Sequence, residues 1–347
     1  MQTVLRIGTR DSQLAVWQAT LVQNLLKEAG VASELVFIKS EGDLDTVTPL
    51  YALGVQGVFT KTLDTALLNN RIDIAVHSMK DVPTQLAQGI QQAAVLKRAS
   101  HKDIFVAHPE AALLSGYSET THAQTSLNHD DNNQREFTLS SVLKRGEAIP
   151  QGEWTIATGS IRRIAQWLNR YPNHKVENLR GNVNTRLRKL KESNWQGAIF
   201  AAAGLERINL RPGSAIDLDW MLPAPAQGAI IIVCREGDAY AFESSRLLND
   251  EVTALCTRVE RDFLSALMGG CSTPISAFAE VKSNGTVYFK GNMVTPDGKD
   301  KVETEANMPW EQAGDIGKIA AKHILAKGGQ SILNRIRNKG LSADGEV

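Results

Sequence analysis

The 347-residue chain contains little cysteine, no long hydrophobic run and no net charge. Its three cysteines, Cys234, Cys256 and Cys271, form no CxxC pair, so neither a disulfide framework nor a thiol zinc site is expected. No apolar run approaches the roughly 18 residues of a membrane span. The first residues show no basic segment followed by an apolar one, so we expect no secretory signal and a cytoplasmic location. The 38 basic residues equal the 38 acidic ones, which argues against a general polyanion binder.

The sequence also lacks the short motifs of several large enzyme classes. It contains no HExxH, no Cys/His cluster with ligand spacing, no Walker loop or GxGxxG after a strand, and no GxSxG elbow. No metal ion is therefore predicted, and neither a nucleotide-binding loop nor a serine-hydrolase elbow is indicated.

The residues that are present are typical of a globular protein of two or three domains, with 42% hydrophobic and 22% charged. Short apolar runs alternate with amphipathic stretches of helical length, which predicts an α/β architecture with mainly parallel or mixed sheets. Ser12 and Thr60 are candidate N-caps. The predicted strands are 4–8, 34–38, 72–76, 154–157, 176–179 and 197–201, and the predicted helices are 12–30, 60–68, 160–170 and 183–193.

Two regions break this alternation. Residues 115–138 include only four hydrophobic residues in 24, which predicts a solvated, mobile insertion. After Asp250 the pattern predicts a helix to residue 268, a hairpin of strands 275–281 and 286–293 joined through Asn284-Gly285, and a helix over 310–326. This tail is predicted to be a smaller α/β domain with an antiparallel sheet.

Positive charge is concentrated in residues 158–191, where nine basic residues and the single acid Glu177 give +8. Arginines stand at two predicted strand-to-helix turns: Arg162 and Arg163 follow one, and Arg180-Gly181 and Arg186 surround the other. Helix N-termini present unpaired N–H groups, so these arginines favour a carboxylate or phosphate site. A solvated basic face is the alternative and suits Arg188, Lys189 and Lys191. A nucleic-acid surface is less favoured, since Trp167 and Tyr171 fall on the predicted core side of their helix.

Three further segments carry candidate chemistry. Asp81, in His77-Ser-Met-Lys-Asp-Val-Pro83 after a buried strand, is either a general acid or base, a carboxylate that stabilises a cation, or simply a turn residue. The Arg10-Asp-Ser12 segment is either another anion-binding turn between a strand and a helix, or only a helix cap. Cys271 follows two glycines in a predicted loop, where a thiol is more accessible than in the core. Cys234 and Cys256 are predicted to be inert core thiols.

Taken together, these segments resemble the porphobilinogen deaminase (hydroxymethylbilane synthase) family. The matching stretches occur in the family's order along almost the whole chain. They are RIGTR at 6–10, HSMKDVP at 77–83, SIRR at 160–163, LRGNVNTRL at 179–187, AGL at 203–205, LPAPAQG at 222–228 and GGC at 269–271. No single stretch would suffice, but the combination is highly specific.

The resemblance implies a transferase of haem biosynthesis that condenses four porphobilinogen molecules head to tail into hydroxymethylbilane and releases ammonia. It implies a dipyrromethane cofactor on a thioether to Cys271, and it gives Asp81 the task of assisting ammonia loss and stabilising the azafulvene cation. Further residues would bind the carboxylate-rich pyrroles. Those matched to cofactor binding are Ser78, Lys80, Thr158, Ser160, Arg162, Arg163, Arg180, Gly181, Arg186 and Gln227; those matched to substrate binding are Arg10, Ser12, Phe59 and Arg207.

The implied fold is two periplasmic-binding-protein-like α/β domains with the active site between them, plus a third domain that carries the cysteine loop. The implied domains are 1–101 with 228–247, 102–227, and 248–347, in a monomer. The chain departs from the family's common pattern at several positions, namely Asp11, Gln13, Val55, Gln56, Gly159 and Ala226, and the 115–138 insertion has no usual counterpart. These departures bear on loop closure and carboxylate contacts.

Two other classes of function compete with the deaminase. A non-enzymatic anion-binding protein would explain the arginines and the cleft but not the Gly-Gly-Cys271 loop. A nucleic-acid binder would show strongly salt-dependent affinity for oligonucleotides. Zero net charge here results from cancellation between regions, so a basic interior suited to a small polyanion remains compatible with it.

Overall fold

The computed structural model describes residues 4–39, 60–109, 143–144, 153–267 and 273–342. Several of the sequence predictions lie outside these residues, namely those at Val55, Gln56, Phe59, Cys271 and the insertion at 115–138. The strands are β1 (Leu5–Thr9), β2 (Ser33–Phe37), β3 (Ile74–Ser78), β4 (Ile90–Val95), β5 (Asp103–Ala107), β6 (Thr155–Ala157), β7 (Lys175–Glu177), β8 (Gly197–Ala201), β9 (Ile216–Asp217), β10 (Ile230–Arg235), β11 (Ile275–Val281), β12 (Thr286–Val294) and β13 (Lys301–Pro309). The α-helices are α1 (Gln13–Glu28), α2 (Lys61–Leu68), α3 (Ile161–Arg170), α4 (Val183–Lys191), α5 (Ala202–Glu206), α6 (Ala239–Arg246), α7 (Glu251–Ala266), α8 (Ile316–Ile324) and α9 (Gln330–Ser342).

The first sheet has the strand order β2-β1-β3-β10-β4. β1 runs parallel to β2 and β3, whereas β10 runs antiparallel to β3 and β4. The apolar residues of these strands are buried on both faces of the sheet, against α1 and α6 on one side and α2 on the other. Burial on both faces explains why β3 and β10 have continuous apolar runs instead of alternating ones.

The second sheet repeats this plan with the order β7-β6-β8-β5-β9. β6 is parallel to β7 and β8, and β5 is antiparallel to β8 and β9. The chain passes between the two sheets twice, from β4 into β5 and from β9 into β10, so each sheet contains one strand that runs against the rest. The prediction of two matching α/β units of the periplasmic-binding-protein type is confirmed by this topology.

The third sheet is antiparallel, with the order β11-β12-β13, and packs against α7 and α8. The predicted hairpin through Asn284-Gly285 is confirmed, with Gly285 at a φ of 78°. The strand β13 was not predicted, because its sequence alternates charged residues with apolar or polar ones and contains no apolar run. The helix predicted over 310–326 is wrong in detail: a 3-10 helix (Trp310–Asp315) precedes α8, and a π-helical segment (Leu325–Gly329) with Gly328 at a φ of 99° follows it.

Helix caps follow the sequence in part. The Ser12 hydroxyl accepts a hydrogen bond from the Ala15 amide, as predicted. Thr60 occupies the N-cap position of α2, but its side chain makes no capping hydrogen bond and its backbone is helical. No helix of the described residues is long and apolar enough to cross a membrane.

Candidate functional site

A small cavity of about 60 Å³ lies where β1 and β3 end. β1 leads directly into the Arg10-Asp-Ser12 turn at the N-terminus of α1, and β3 leads into a 3-10 turn, Met79–Asp81. Because neighbouring parallel strands end at the same edge of a sheet, the two turns meet there. The polar side chains that line the cavity are Arg10, Ser12, Gln18, Thr60, His77, Ser78 and Asp81.

The turn after β3 contains the two charged residues of greatest interest, Lys80 and Asp81. Loss of hydration lowers the pKa of Lys80 to about 8, although the Asp81 carboxylate acts in the opposite direction. Lys80 is therefore cationic at neutral pH in spite of its burial. Ser78 accepts a hydrogen bond of 2.8 Å from Gln18 Nε2. Sequence reasoning missed Gln18, which lies on the buried side of α1, and its polar character on that face was the available signal.

His77 is buried beside this cavity. Burial lowers its pKa to about 3, with a further contribution from the positive charge of Arg10, so its imidazole is neutral at physiological pH. Among the described residues, none forms a hydrogen bond with its Nε2 atom. His77 was interpreted as a structural hydrogen-bonder, and the structure shows a neutral ring at the wall of the cavity.

The two arginines in the first turn of α3 are buried against an acidic residue that sequence reasoning did not single out. Arg162 Nη1 lies 2.7 Å from Asp103 Oδ2, and Arg163 Nη2 lies 2.8 Å from Asp103 Oδ1. Arg162 also donates to the carbonyl of Leu222, and Arg163 to that of Ile199. The sequence predicted an external anion to offset these charges, whereas the fold provides one internal carboxylate for two guanidinium groups. These three side chains together therefore carry a net charge of +1.

Asp103 is ionised under all ordinary conditions. Burial alone would raise its pKa, but the neighbouring charges of Arg162 and Arg163 outweigh this effect and bring the pKa to about 2. Gln227 Nε2 also donates to Asp103 Oδ1 at 3.0 Å and to the His101 carbonyl at 2.7 Å. Gln227 lies between β9 and β10, in the second of the two crossovers that connect the large sheets. From there it contacts the group formed by Asp103, Arg162 and Arg163. Asp103 is the first residue of β5 and directly follows the crossover from β4. Nothing in the sequence around this position indicated a buried carboxylate.

The second arginine turn lies against the first. Gly181 has a φ of 110° and precedes Asn182, whose side chain caps α4. Arg186 Nε donates to the Gly181 carbonyl at 2.7 Å, and burial lowers the pKa of Arg186 to about 10, with a contribution from Arg163. A side chain at Gly159 would place its Cβ 2.5 Å from the Leu179 carbonyl oxygen. Glycine at 159 therefore permits the close approach of the two turns, although the resembled family commonly has serine there.

The site residues on the two five-stranded sheets face one another. Lys80 interacts electrostatically with Asp103, Arg162 and Arg163, and the Asp81 carboxylate influences the pKa of both Arg163 and Arg186. Arg207 bridges the sheets as well: its Nη2 donates to the Gly228 carbonyl at 2.7 Å, and its guanidinium lies 5.8 Å from the Trp17 ring centroid. The structure thus brings the carboxylate of Asp81 and the basic side chains into one site between the sheets.

Other predicted residues lie near this site or are buried away from it. Thr158 is fully buried at the end of β6, and Ser160 occupies the N-cap position of α3 without a side-chain capping bond. Arg180 is 3% exposed. Cys234 and Cys256 are buried as predicted, and burial raises the pKa of their thiols to about 11 and about 12, which keeps them protonated. Trp167 in α3 and Tyr171 just after it are buried too, so neither ring is available as a stacking platform.

The described residues hold no group of three or more His, Cys, Asp or Glu side chains suited to a metal ion. The chemistry of the site is instead that of guanidinium, ammonium, hydroxyl and carboxylate groups. Fold and site together define an α/β protein of two similar units and a third small domain, with a basic site between the units that suits a carboxylate-rich ligand.

Comparisons with known proteins agree with this class. Residues 5–243 match the family model "Porphobilinogen deaminase, dipyromethane cofactor binding domain", and residues 254–326 match "Porphobilinogen deaminase, C-terminal domain". The chain is 38% identical over 345 residues to the chloroplastic porphobilinogen deaminase of Oryza sativa subsp. japonica, covering 96% of this chain and 87% of that protein. It is 37% identical over 338 residues to the porphobilinogen deaminase of Acidithiobacillus ferrooxidans, covering 96% and 98%. The chain belongs to the porphobilinogen deaminase family.

Among solved structures, the periplasmic VFT2 domain of Bordetella pertussis BvgS is similar at 12% identity and a TM-score of 0.37. The similarity covers 70% of this chain and 86% of that domain.

Proposed function

We propose that this chain is a transferase that condenses four porphobilinogen molecules head to tail into hydroxymethylbilane with release of ammonia. The observation that supports this most is the position of Asp81, a carboxylate at the edge of a cavity and within electrostatic reach of Lys80, Arg163 and Arg186. A reaction that develops positive charge on a polyanionic substrate needs both signs of charge in one site.

The residues present fit the family's dipyrromethane cofactor, whose acetate and propionate groups are anionic. Arg162 and Arg163 share one carboxylate and are 3% and 4% exposed, and within the described residues Arg162 Nε has no hydrogen-bond partner. A buried, undercompensated guanidinium pair is stabilised by an added carboxylate. When bound, the cofactor supplies the terminal pyrrole to which substrate is joined. The residues proposed to hold it are Ser78, Lys80, Thr158, Ser160, Arg162, Arg163, Arg180, Gly181, Arg186 and Gln227, with Cys271 as the covalent attachment.

We assign the catalytic role to Asp81. In this proposal its carboxylate stabilises positive charge that develops on the substrate as ammonia leaves, and it exchanges a proton with a pyrrole nitrogen. Lys80 and Arg163 interact electrostatically with this carboxylate. The same cations bind the acidic side chains of the substrate.

The incoming porphobilinogen is proposed to bind at the N-terminus of α1. Arg10 and Ser12 lie there, next to Ser78 and Asp81 around the same cavity. Arg207 and Phe59 are the other substrate-binding proposals, and Phe59 lies outside the described residues. The helix N-terminus adds unpaired N–H groups that favour an anion. This arrangement would place the aminomethyl group of the substrate near Asp81.

Several broader statements stay predictions. They are the domain boundaries (1–101 with 228–247, 102–227, and 248–347), the monomeric state, the cytoplasmic location and the place in haem biosynthesis. The third domain would carry Cys271 in the loop after α7. The non-enzymatic anion-binding alternative predicts binding of porphobilinogen without release of ammonia.

The intact mass of the protein tests the proposal most directly. Purified from a host that makes haem, the chain should exceed its bare mass of 37.9 kDa by one covalent dipyrrole and should react with Ehrlich's reagent. Cys271→Ser should appear at bare mass and lack activity, whereas the matched variant Cys256→Ser should keep the added mass. A parent protein at bare mass that binds porphobilinogen without releasing ammonia would support the anion-binding alternative instead.

A further inference from the structure

A residue of the third domain donates hydrogen bonds to the backbone of the turn that contains Lys80 and Asp81. Arg261, on α7, donates from Nη1 to the Val82 carbonyl at 2.8 Å and to the Met79 carbonyl at 3.3 Å, and from Nη2 to the Pro83 carbonyl. One guanidinium group thus spans both ends of the 3-10 turn. The partners are 179 positions apart in sequence for the bond to Val82, so only the folded chain brings them together.

This contact is suited to fixing the direction of the Asp81 side chain. Within the turn the Val82 amide donates to the Met79 carbonyl, and the Met79 amide donates to the carbonyl of Ala229, the residue just before β10. A planar guanidinium that donates to several carbonyls restrains their relative orientation, because its donors have a fixed geometry whereas those of an ammonium rotate. Small displacements of a catalytic group produce large losses in rate.

The two faces of the turn have different surroundings. Asp81 lines the small cavity with Arg10 and Ser78, whereas Met79 and Arg261 line a separate cleft of about 660 Å³ between the first sheet and the third domain. Arg261 therefore contacts the turn from the side away from the proposed substrate. It acts on the site through the backbone and not by touching the reacting groups.

We propose that Arg261 is a positioning residue, by which the third domain holds Asp81 in its working orientation. The proposal rests on the proposed function of Asp81. It predicts that Arg261→Gln lowers kcat for porphobilinogen consumption by about 10- to 100-fold while KM changes by less than about threefold. Arg261→Lys should show much of the same loss, since a lysine retains the charge but not the geometry.

The matched control is Arg258→Gln. Arg258 lies one turn earlier on α7, is exposed and lines the same cleft, and within the described residues it donates to none of the turn's carbonyls. We expect this variant to have the kinetics of the parent. In Arg261→Ala, millimolar guanidinium should restore part of kcat, a rescue that a generally destabilised protein would not show.

Hydrogen exchange separates this proposal from the proposed function. The backbone amides of residues 78–82 and of Thr84 should exchange faster in Arg261→Gln than in the parent or in Arg258→Gln, whether or not the protein consumes porphobilinogen. A parent without turnover would refute the proposed function and leave this comparison intact. Equal kcat and equal exchange in Arg261→Gln and Arg258→Gln would overturn the positioning role, as would a loss confined to KM.

Discussion

At the scale of single residues, the site depends on one carboxylate among several cations. Asp81 is half-buried at the end of the 3-10 turn, and its carboxylate interacts electrostatically with Lys80, Arg163 and Arg186. The low pKa of Lys80, about 8, follows mainly from its loss of hydration. A bound carboxylate would restore the usual pKa of this lysine, because an opposite charge favours the ammonium form.

Asp81→Asn preserves the shape of the side chain and removes its charge. We expect kcat to fall by about 10²- to 10⁴-fold, because the amide neither accepts a proton nor stabilises a developing cation. The melting temperature should stay within about 2 °C of the parent, because Asp81 is not a buried ion-pair partner. Steady-state kinetics and calorimetry measure the two effects, with the exposed Asp315→Asn as control. Full activity in Asp81→Asn would remove this residue from the mechanism.

At the scale of elements, the N-terminus of α3 combines two cations with a helix end that already carries partial positive charge. This arrangement is unfavourable unless anions compensate it. β5 supplies one anion, because its first residue, Asp103, is buried directly beneath the first turn of α3. The strand β5 thereby stabilises α3, although α3 follows a different strand, β6.

Asp103→Asn removes this compensation and leaves two buried guanidinium groups. We expect the free energy of unfolding to fall by about 3–5 kcal/mol in urea titrations, whereas loss of the exposed partner of Lys102 in Asp219→Asn should cost less than about 1 kcal/mol. Added sulfate should stabilise Asp103→Asn more than the parent, because a bound anion then replaces the missing carboxylate. An unchanged stability would show that Arg162 and Arg163 do not depend on Asp103.

At the scale of the whole molecule, the third domain is joined to both crossovers between the two larger sheets. Glu260 of α7 pairs with Arg98 through both oxygens, at 2.6 and 3.0 Å, and also accepts hydrogen bonds from the amides of Ala226 and Ala279. Arg98 precedes β5 and Ala226 precedes β10. A single buried carboxylate thus connects the first crossover, the second crossover and the third sheet.

We expect Glu260→Gln to lower the free energy of unfolding by about 3–5 kcal/mol, because it leaves the Arg98 guanidinium without its buried counter-ion. The exposed Glu243→Gln should change it by less than about 0.5 kcal/mol. Urea unfolding followed by tryptophan fluorescence measures both. A loss below about 1 kcal/mol would show that the three parts of the molecule are joined mainly by other contacts.

The sequence by itself determined most of the local structure and the chemical character of the site. Its periodicity predicted β1, β2, β3, β6, β7 and β8 within two residues of their observed bounds, because burial of apolar side chains is visible in composition and spacing. The strands β4, β5 and β9 of the same two sheets were not predicted. Ser12 was identified as a cap because capping is a local contact. The arginines at two strand-to-helix turns and the segment around Asp81 indicated an anion site, and the order of the motifs indicated the family.

Only the tertiary structure decided which partners these residues have. Asp103 as the counter-ion of Arg162 and Arg163, Glu260 at the crossovers, and Arg261 behind the Asp81 turn all depend on contacts between distant parts of the chain. Such contacts leave no periodic signal, since a buried polar residue is selected for one partner in space and not for its neighbours in sequence. Charge balance inside the protein is therefore a property of the fold, whereas the presence of charge is a property of the sequence.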